Sequence, residues 1–363
     1  MRRPDGAGAH PLRVFACGGF VDNPGDEANL AQRLKFVGHP LLTDIQEKLL
    51  REVLGCAMHR RVKVYLAGGL VRDLLRAGAE SVQDIDFVVE GDAPAFARQC
   101  QETLGGDLQE HAPFGTACLS GMRGFAQIES VDFASTRTET YEKPGALPTV
   151  SCGVTIQEDL KRRDFSVNAM AVSLSDLCRY LSGGSGDLYS LKERILDPLG
   201  GMPDLESRLI RVLHQKSFLD DPTRIFRALR YATRLGASLE VGTRQLMLEA
   251  LRAGALETIS GTRIANDLEK SMKEEQAADL LVSLGEMGIF SAAGFCEDRE
   301  WPRFVMPLET IKDEPRAQEG FEYLAALFLS GMAQEKREAF LLRYSLGRKF
   351  LHRMRDVIER KFL

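Results

Sequence analysis

The sequence lacks most of the features that mark membrane proteins, exported proteins and metal clips. No uninterrupted apolar run reaches the ~20 residues of a membrane-spanning helix, and the opening Met1-Arg2-Arg3 leads into Pro and Gly rather than the apolar core of a signal peptide. The 7 cysteines are spread along the chain without a C-x-x-C pair, so they predict neither a metal clip nor a redox motif. The 6 histidines are equally scattered, which argues against a phosphohydrolase domain. These absences predict a cytoplasmic protein with no membrane partner.

A net positive charge, which commonly accompanies nucleic-acid binding, is also missing, because the formal charge is -5. The local distribution differs from this sum. Between Asp204 and Gly236, basic side chains outnumber acidic ones, and the last thirty residues are also basic. Such runs are as typical of solvated helix faces as of nucleic-acid binding surfaces, so charge alone does not decide between these two interpretations.

The 363 residues are 44% hydrophobic and 27% charged, enough for a sizeable core in two or three domains. A helical pattern over 41–58 is followed by short apolar runs that predict strands at 63–67, 84–90, 114–120 and 127–135. Long amphipathic patterns then predict helices over 206–218, 222–235 and 243–256. The segment 138–153, with its prolines and glycines, is predicted to be a mobile surface loop.

The chain contains two similar ten-residue segments, VFACGGFVDN at 14–23 and VYLAGGLVRD at 64–73. In the second copy, Gly68 and Gly69 precede a predicted helix, where backbone N–H groups suit a phosphate. The first copy lacks the arginine and no D-x-D strand follows it. We interpret the first segment as a similarity without a ligand-binding role and the second as a ligand-binding turn.

Asp84 and Asp86 lie in a predicted strand with one residue between them. The period of two along a strand places both carboxylates on one face. Hard oxygen donors this close suit Mg²⁺, which also binds phosphates. A lone D-x-D is weak evidence, but the glycine turn upstream supplies the phosphate half of such a site.

Five segments in order resemble motifs of the class II tRNA nucleotidyltransferases, the CCA-adding enzymes and their poly(A) polymerase relatives. They are GGLVRD at 68–73, DIDFVV at 84–89, RRDFSVNAMA at 162–171, DPLGG and DL within 197–205, and DDPTRIFRALRYATRLG at 220–236. The resemblance implies an α/β nucleotidyltransferase head, a mixed sheet with flanking helices, followed by an all-α neck and body. The expected divisions are an N-terminal extension of unknown role (1–40), the head (41–200), a neck with the base-reading motif (201–270) and a short body or tail (271–363).

The resemblance also implies roles for individual residues. Asp84 and Asp86 would be the catalytic carboxylates that hold two Mg²⁺ ions, with Asp132 as a weaker third metal ligand that could equally be a surface carboxylate. Arg72 could contact phosphate or pair with Asp73, and Asp221 and Arg224, expected on one helical turn, could read the incoming base or form a salt bridge. The implied nucleotide-binding residues are Gly68, Gly69, Arg72, Arg163, Asp164, Asn168, Asp221, Arg224, Arg227 and Arg230, and Arg234 is implied in RNA binding.

Members of the family add CCA, CC, a terminal A or a poly(A) tail. The loop ETYEKPGALPTV at 139–150 is missing from CC-adding members, and 110–119 resembles the tRNA-specific branch. We therefore expect addition of CCA to the tRNA acceptor end from CTP and ATP. Addition of A alone is the alternative, and poly(A) synthesis, a non-catalytic RNA-binding relative and a small-molecule nucleotidyltransferase are less favoured. The expected state is a monomer or homodimer.

Overall fold

The computed structural model describes residues 42–76, 85–182, 191–297, 299–305 and 320–359. The first glycine-containing segment, at 14–23, and the carboxylate residue Asp84 lie outside these ranges. In the part of the chain described, no helix is both long and apolar enough to cross a bilayer.

The head is built on a mixed sheet, which has seven strands within the described residues. They are β1 (Lys63–Ala67), β2 (Asp86–Glu90), β3 (Asp107–His111), β4 (Thr116–Ser120), β5 (Ser130–Ser135), β8 (Ala171–Ser173) and β9 (Ile195–Leu196). Their order across the sheet is β3-β4-β5-β2-β1-β8-β9. Among these described strands, β2 and β5 alone pair in parallel, and the other neighbours are antiparallel. The prediction of a mixed sheet with flanking helices is confirmed.

Helices pack on both sides of this sheet because its strands carry apolar residues on both faces. Ile156 and Leu160 pack against Tyr65 and Val88 on one side, and the larger cluster of the head lies on the other. Phe87 and Phe133 pair in register on β2 and β5 and stack at 5.2 Å between ring centroids. Phe96 meets Phe133 edge to face, which brings its helix against the strands. The helices of the head are α1 (Asp44–Arg60), α2 (Gly69–Leu74), α3 (Ala93–Leu104), α4 (Ile156–Lys161) and α5 (Leu174–Ser182).

The rest of the described chain is mostly helical. One hydrophobic cluster reaches from Phe165 to Val357, and rings such as Phe290, Phe295 and Phe328 contact one another at its centre. The helices are α6 (Gly201–Glu206), α7 (Ser217–Asp220), α8 (Thr223–Leu235), α9 (Val241–Arg252), α10 (Gly261–Met272), α11 (Ala277–Glu286), α12 (Ile289–Ala292), α13 (Pro302–Val305), α14 (Phe321–Gly331), α15 (Gln334–Arg343), α16 (Arg348–Arg353) and α17 (Arg355–Ile358).

The helix predicted over 206–218 is wrong. Arg208 has a positive φ of 53°, and the following β10 (Leu209–Ile210) pairs in parallel with β11 (Ser238–Leu239). The extended chain continues, since Phe165 and Val212 form a β-bridge. Pairing with distant backbone outweighed the helical spacing of the apolar residues, so the mostly helical neck includes this short pair of strands.

The segment 138–153 is also more ordered than predicted. Strands β6 (Arg137–Thr140) and β7 (Thr149–Cys152) pair as an antiparallel hairpin, and only 141–148 forms a loop at its tip. The tip contacts the neck, because the Gly145 N–H donates to the carbonyl of Leu219 at 3.1 Å. The hairpin therefore spans from the head to the neck.

Candidate active site

One face of the sheet carries two exposed carboxylates side by side. Asp86 and Asp132 are paired residues on the parallel strands β2 and β5, and both are exposed. Their in-register neighbours Phe87 and Phe133 are fully buried on the other face. Because side chains alternate along a strand, burying the two phenylalanines places both carboxylates towards solvent on one face. Asp132, the weaker of the predicted ligands, lies directly beside Asp86.

The glycine turn lies at the end of β1, the strand that pairs directly with β2. Gly68 has φ +79°, and a Cβ there would lie 3.0 Å from Nη1 of Arg163. Glycine is therefore required both for the backbone angle and for the approach of Arg163. Gly69 begins helix α2, which carries Arg72 one turn later. The structure thus brings Gly68, Gly69, Arg72 and Arg163 together.

Arg72 is the start of a buried chain of polar contacts between head and neck. It is 3% exposed and holds the Asp73 carboxylate with Nε and Nη2 at 2.9 and 2.8 Å. Its Nη1 donates to Oδ1 of Asn168 at 2.8 Å, and Asn168 Nδ2 donates to Oδ1 of Asp164 at 3.1 Å. The alternative pairing of Arg72 with Asp73 is present, together with this contact to the third motif.

Asp164 links that chain to the neck. Nε of Arg227 on α8 donates to its Oδ2 at 2.9 Å, and Nη2 of Arg227 contacts the same oxygen. Burial opposes ionisation of Asp164, but the charge and hydrogen bonds of Arg227, with Asn168, leave the pKa of the carboxyl lowered. The carboxylate is therefore ionised at neutral pH and joins the third motif to the fifth.

Replacing Asp164 with Asn should lower the free energy of unfolding at pH 7 by about 3 kcal/mol, because Arg227 loses its buried anionic partner. A lowered folded pKa stabilises the protein above the unfolded value of about 3.9 and ceases to do so as pH falls through the folded pKa. The difference between wild type and variant should therefore shrink below about pH 4. Urea unfolding across pH measures it, with Asp107→Asn, an exposed strand carboxylate, as control. A difference independent of pH would contradict the assignment of the charge.

The proposed base-reading pair is arranged differently from the prediction. Asp221 has extended backbone angles before α8, whereas Arg224 lies within the helix, so the two do not share a helical turn. Asp221 Oδ1 accepts from Nη2 of Arg263 at 2.8 Å rather than from Arg224. The prediction of one shared turn is wrong because Pro222 at the helix start leaves Asp221 outside it.

Arg224 is 4% exposed and fixed by neutral acceptors. Its Nη1 donates to Oγ of Ser217 at 2.7 Å, and its Nη2 donates to the carbonyl oxygen of Arg162 at 3.0 Å. Arg162 follows helix α4 in the head. The guanidinium is thus held in one orientation by groups from both head and neck, and no carboxylate among the described residues forms an ion pair with it.

The tip of the β6–β7 hairpin reaches this pair through Arg263. Nη1 of Arg263 donates to the carbonyl oxygen of Gly145 at 2.7 Å, while Nη2 binds Asp221. Gly145 has φ +71°, and a Cβ there would lie 2.2 Å from Oγ1 of Thr258. On the same hairpin, burial and the charge of Glu139 raise the pKa of Tyr141 to about 12, with the charges of Arg224 and Asp221 also acting on it. The Arg263 side chain therefore connects Gly145, at the tip of the hairpin, to Asp221.

Arg263→Gln should speed hydrogen exchange of segment 141–150 by about tenfold, because two charge-assisted hydrogen bonds to the hairpin and to Asp221 are lost. Exchange followed by mass spectrometry measures it. Arg252→Gln, which changes an exposed arginine on α9, is the matched control. Equal exchange in both variants would show that Arg263 does not hold the hairpin.

The remaining arginines of α8 are paired with acidic side chains of the helical region. Nη1 of Arg230 lies 3.3 Å from Asp267, and Nε of Arg234 donates to Glu274 at 2.9 Å. Burial outweighs Arg230 in raising the pKa of Asp267. Arg230 is buried and Arg234 is exposed, so only Arg234 lies at the surface expected for RNA.

Comparison with known proteins agrees with this arrangement. Residues 64–211 match the model of the Poly A polymerase head domain. The chain is 33% identical over 325 residues to an A-adding tRNA nucleotidyltransferase of Halalkalibacterium halodurans, covering 88% of this chain and 70% of that one. The chain belongs to the tRNA nucleotidyltransferase family.

Two further similarities place the family match in context. An A-adding tRNA nucleotidyltransferase of Geobacter sulfurreducens is 39% identical over 241 residues, which is 66% of this chain but only 25% of that protein. A solved CCA-adding enzyme in an apo form is 30% identical with a TM-score of 0.71, over 88% of this chain and 72% of that one. The structural similarity to the CCA-adding enzyme therefore extends over both the head and the helical region. The chain spans about a quarter of the length of the Geobacter relative.

Sequence reasoning missed three contributors to this nucleotidyltransferase site. In the sequence, Ser260 is a residue type typical of a helix N-cap, and Arg263 three residues later carries no functional signal. The structure has this cap, since the N–H of Arg263 donates to Oγ of Ser260 at 3.3 Å. Tyr231, whose hydroxyl accepts from Arg227 at 3.4 Å, and Glu139, which accepts from Nη1 of Arg162 at 2.8 Å, carried no signal except their positions within a motif and a loop. Arg263 and Glu139 act through partners distant in sequence, which spacing does not reveal.

Proposed function

We propose that this protein adds a terminal AMP to tRNA that ends in CC, using ATP. The observation that supports this proposal most is the buried chain from Arg72 through Asn168 and Asp164 to Arg227, next to an oriented Arg224. It would join a phosphate-binding turn to a base-reading group across the head and neck. The two relatives described above are named A-adding enzymes, which favours the terminal A over other products.

Mg²⁺ is the metal that this proposal requires, and the donors present suit it. Asp86 and Asp132 offer hard carboxylate oxygens from adjacent parallel strands. Asp84 lies outside the described ranges and precedes Asp86 by two residues in the sequence. Within the residues described, no cluster of three or more His, Cys, Asp or Glu side chains forms an alternative site. Mg²⁺ bound at these aspartates would activate the RNA 3′-hydroxyl and stabilise the leaving pyrophosphate.

The protein side chains would then bind and orient the two substrates. Arg72 and Arg163, beside Gly68 and Gly69, would contact the triphosphate, and Asp164 and Asn168 would hydrogen-bond the ribose. Asp221 and Arg224 would meet the Watson–Crick edge of the base. Arg227 and Arg230 would complete the charge around the phosphates, and Arg234 would contact RNA.

The neutral partners of Arg224 are important for this role. A guanidinium paired with a carboxylate would have to break that pair to read a base, whereas Ser217 and the Arg162 carbonyl hold Arg224 without neutralising it. The fork of donors is therefore pre-organised for a planar hydrogen-bonding edge. Asp221 is held by Arg263, so the acceptor is fixed independently of the donor.

Full CCA addition is the second candidate. The similar solved structure is named a CCA-adding enzyme, and the hairpin at 137–152 is present here. In both candidates the partner is the tRNA acceptor end, and the two differ in whether CTP is a substrate.

Labelled CTP and ATP should be offered, with Mg²⁺, to three transcripts of one tRNA, ending at the discriminator base, at C or at CC. AMP incorporation on the CC end alone is the result expected. Incorporation of CMP on the two shorter ends would replace the proposal with CCA addition. Extension of any end by many AMP residues would point to poly(A) synthesis and contradict both candidates.

A further inference from the structure

Tyr231 lies at the centre of a group of four arginines. The guanidinium carbons of Arg72, Arg227, Arg230 and Arg234 lie 5.3, 5.5, 5.9 and 5.9 Å from the centroid of its ring. Three of them flank the tyrosine on α8, and Arg72 comes from the glycine-turn helix of the head. A single aromatic ring thus meets cations from both the head and the neck.

Contacts with Phe165 and Arg227 hold the ring in place. Phe165, the residue after Asp164, meets it edge to face at 5.9 Å between centroids and 78° between planes. Its hydroxyl oxygen accepts from Nη2 of Arg227 at 3.4 Å. The half-buried Tyr231 is therefore held against the same loop that carries Asp164 and Asn168.

The charges around the ring explain how an uncharged aromatic side chain can help the arginines to bind a triphosphate. Every one of the four arginines already has a carboxylate partner, namely Asp73, Asp164, Asp267 or Glu274. An incoming triphosphate competes with these carboxylates for guanidinium N–H groups. A π face attracts the cation through its quadrupole and carries no net charge, so it holds the arginines together without repelling the phosphates.

We propose that Tyr231 is a positioning residue for the triphosphate, acting through the faces of Arg72 and Arg227. This inference rests on the proposed function. The ring would keep the two guanidinium groups converging from head and neck while their N–H groups exchange carboxylate for phosphate partners. Tyr231 would then affect nucleotide affinity while the carboxylates of the sheet set the rate of chemistry.

The test compares Tyr231→Leu and Tyr231→Met, which remove the π face, with Tyr231→Phe, which keeps it. For the first two, the KM for ATP and the Kd for ATP measured by calorimetry without RNA should both rise about tenfold, the size of two lost cation–π contacts. The kcat should stay within about twofold, and Tyr231→Phe should bind ATP like wild type. Thermal unfolding establishes that each variant is folded, and Tyr231→Met serves if Tyr231→Leu is not.

Unchanged ATP affinity in the folded aliphatic variants would overturn the inference, as would a Phe variant as weak as Leu, since the hydroxyl would then be the active group. A fall in stability and kcat without a change in ATP affinity would assign Tyr231 to packing and also overturn it. Failure of the proposed function looks different. In that case wild type would not transfer AMP to RNA, while the ATP affinities of the variants could still be ranked.

Discussion

Replacing Asp86 with Asn should lower the rate of AMP incorporation by about 10³-fold or more. The substitution keeps the volume of the side chain but removes one anionic donor from the proposed metal site. A metal ion contributes several kcal/mol to the stabilisation of transition-state charge, and each 1.36 kcal/mol is tenfold in rate. The strand should be unaffected, because Asp86 is exposed while Phe87 and Val89 anchor β2 in the core.

The measurement is single-turnover incorporation of labelled ATP into a tRNA ending in CC, with RNA binding followed separately by gel shift. Asp107→Asn, an exposed aspartate on the edge strand β3, controls for general effects of losing a carboxylate. Asp84→Ala should cause the same loss as Asp86→Asn with RNA binding retained. Full activity in the Asp86 variant would remove the sheet carboxylates from the mechanism.

Arg224→Ala should change the preference between ATP and CTP by about ten- to hundredfold, the range expected for losing one bidentate contact to a base edge. The effect should fall mainly on ATP, because the proposed site is oriented for the terminal A. Some loss of stability is also expected, since Ser217 and the Arg162 carbonyl lose a buried donor.

Competition between the two nucleotides in one reaction measures this preference directly and is insensitive to the fraction of folded enzyme. Arg244→Ala, at an exposed position on α9, is the matched control. An unchanged ratio with reduced overall rate would return Arg224 to a purely structural role, as a brace between α7, α8 and the chain after α4.

Much of the head could be predicted because its strands are short apolar runs ended by glycine or a carboxylate. The strands at 63–67, 86–90 and 116–120 follow this pattern, and the strand at 130–135 alternates buried with less buried residues. The position of Asp132 beside Asp86 could not be predicted, because the parallel register of β2 and β5 depends on which strands become neighbours. Sequence identifies each carboxylate but not their adjacency.

The neck shows the opposite limitation. The apolar spacing over 206–218 indicates a helix, yet the segment contacts the third motif as extended chain, since Ser166 N–H donates to the Arg211 carbonyl at 2.9 Å. Asp204 strengthens this contact by accepting from Ser166 Oγ at 2.6 Å. Local pattern could not anticipate a partner so far away in sequence, nor the connection from Arg263 to the hairpin tip.

The most direct test of the proposed AMP transfer is the length and 3′-terminal sequence of the product formed from a CC-ending tRNA, ATP and Mg²⁺. We expect one added AMP per tRNA, and no addition to a tRNA that already ends in CCA. A product without added AMP, or one extended by many nucleotides, would contradict this proposal.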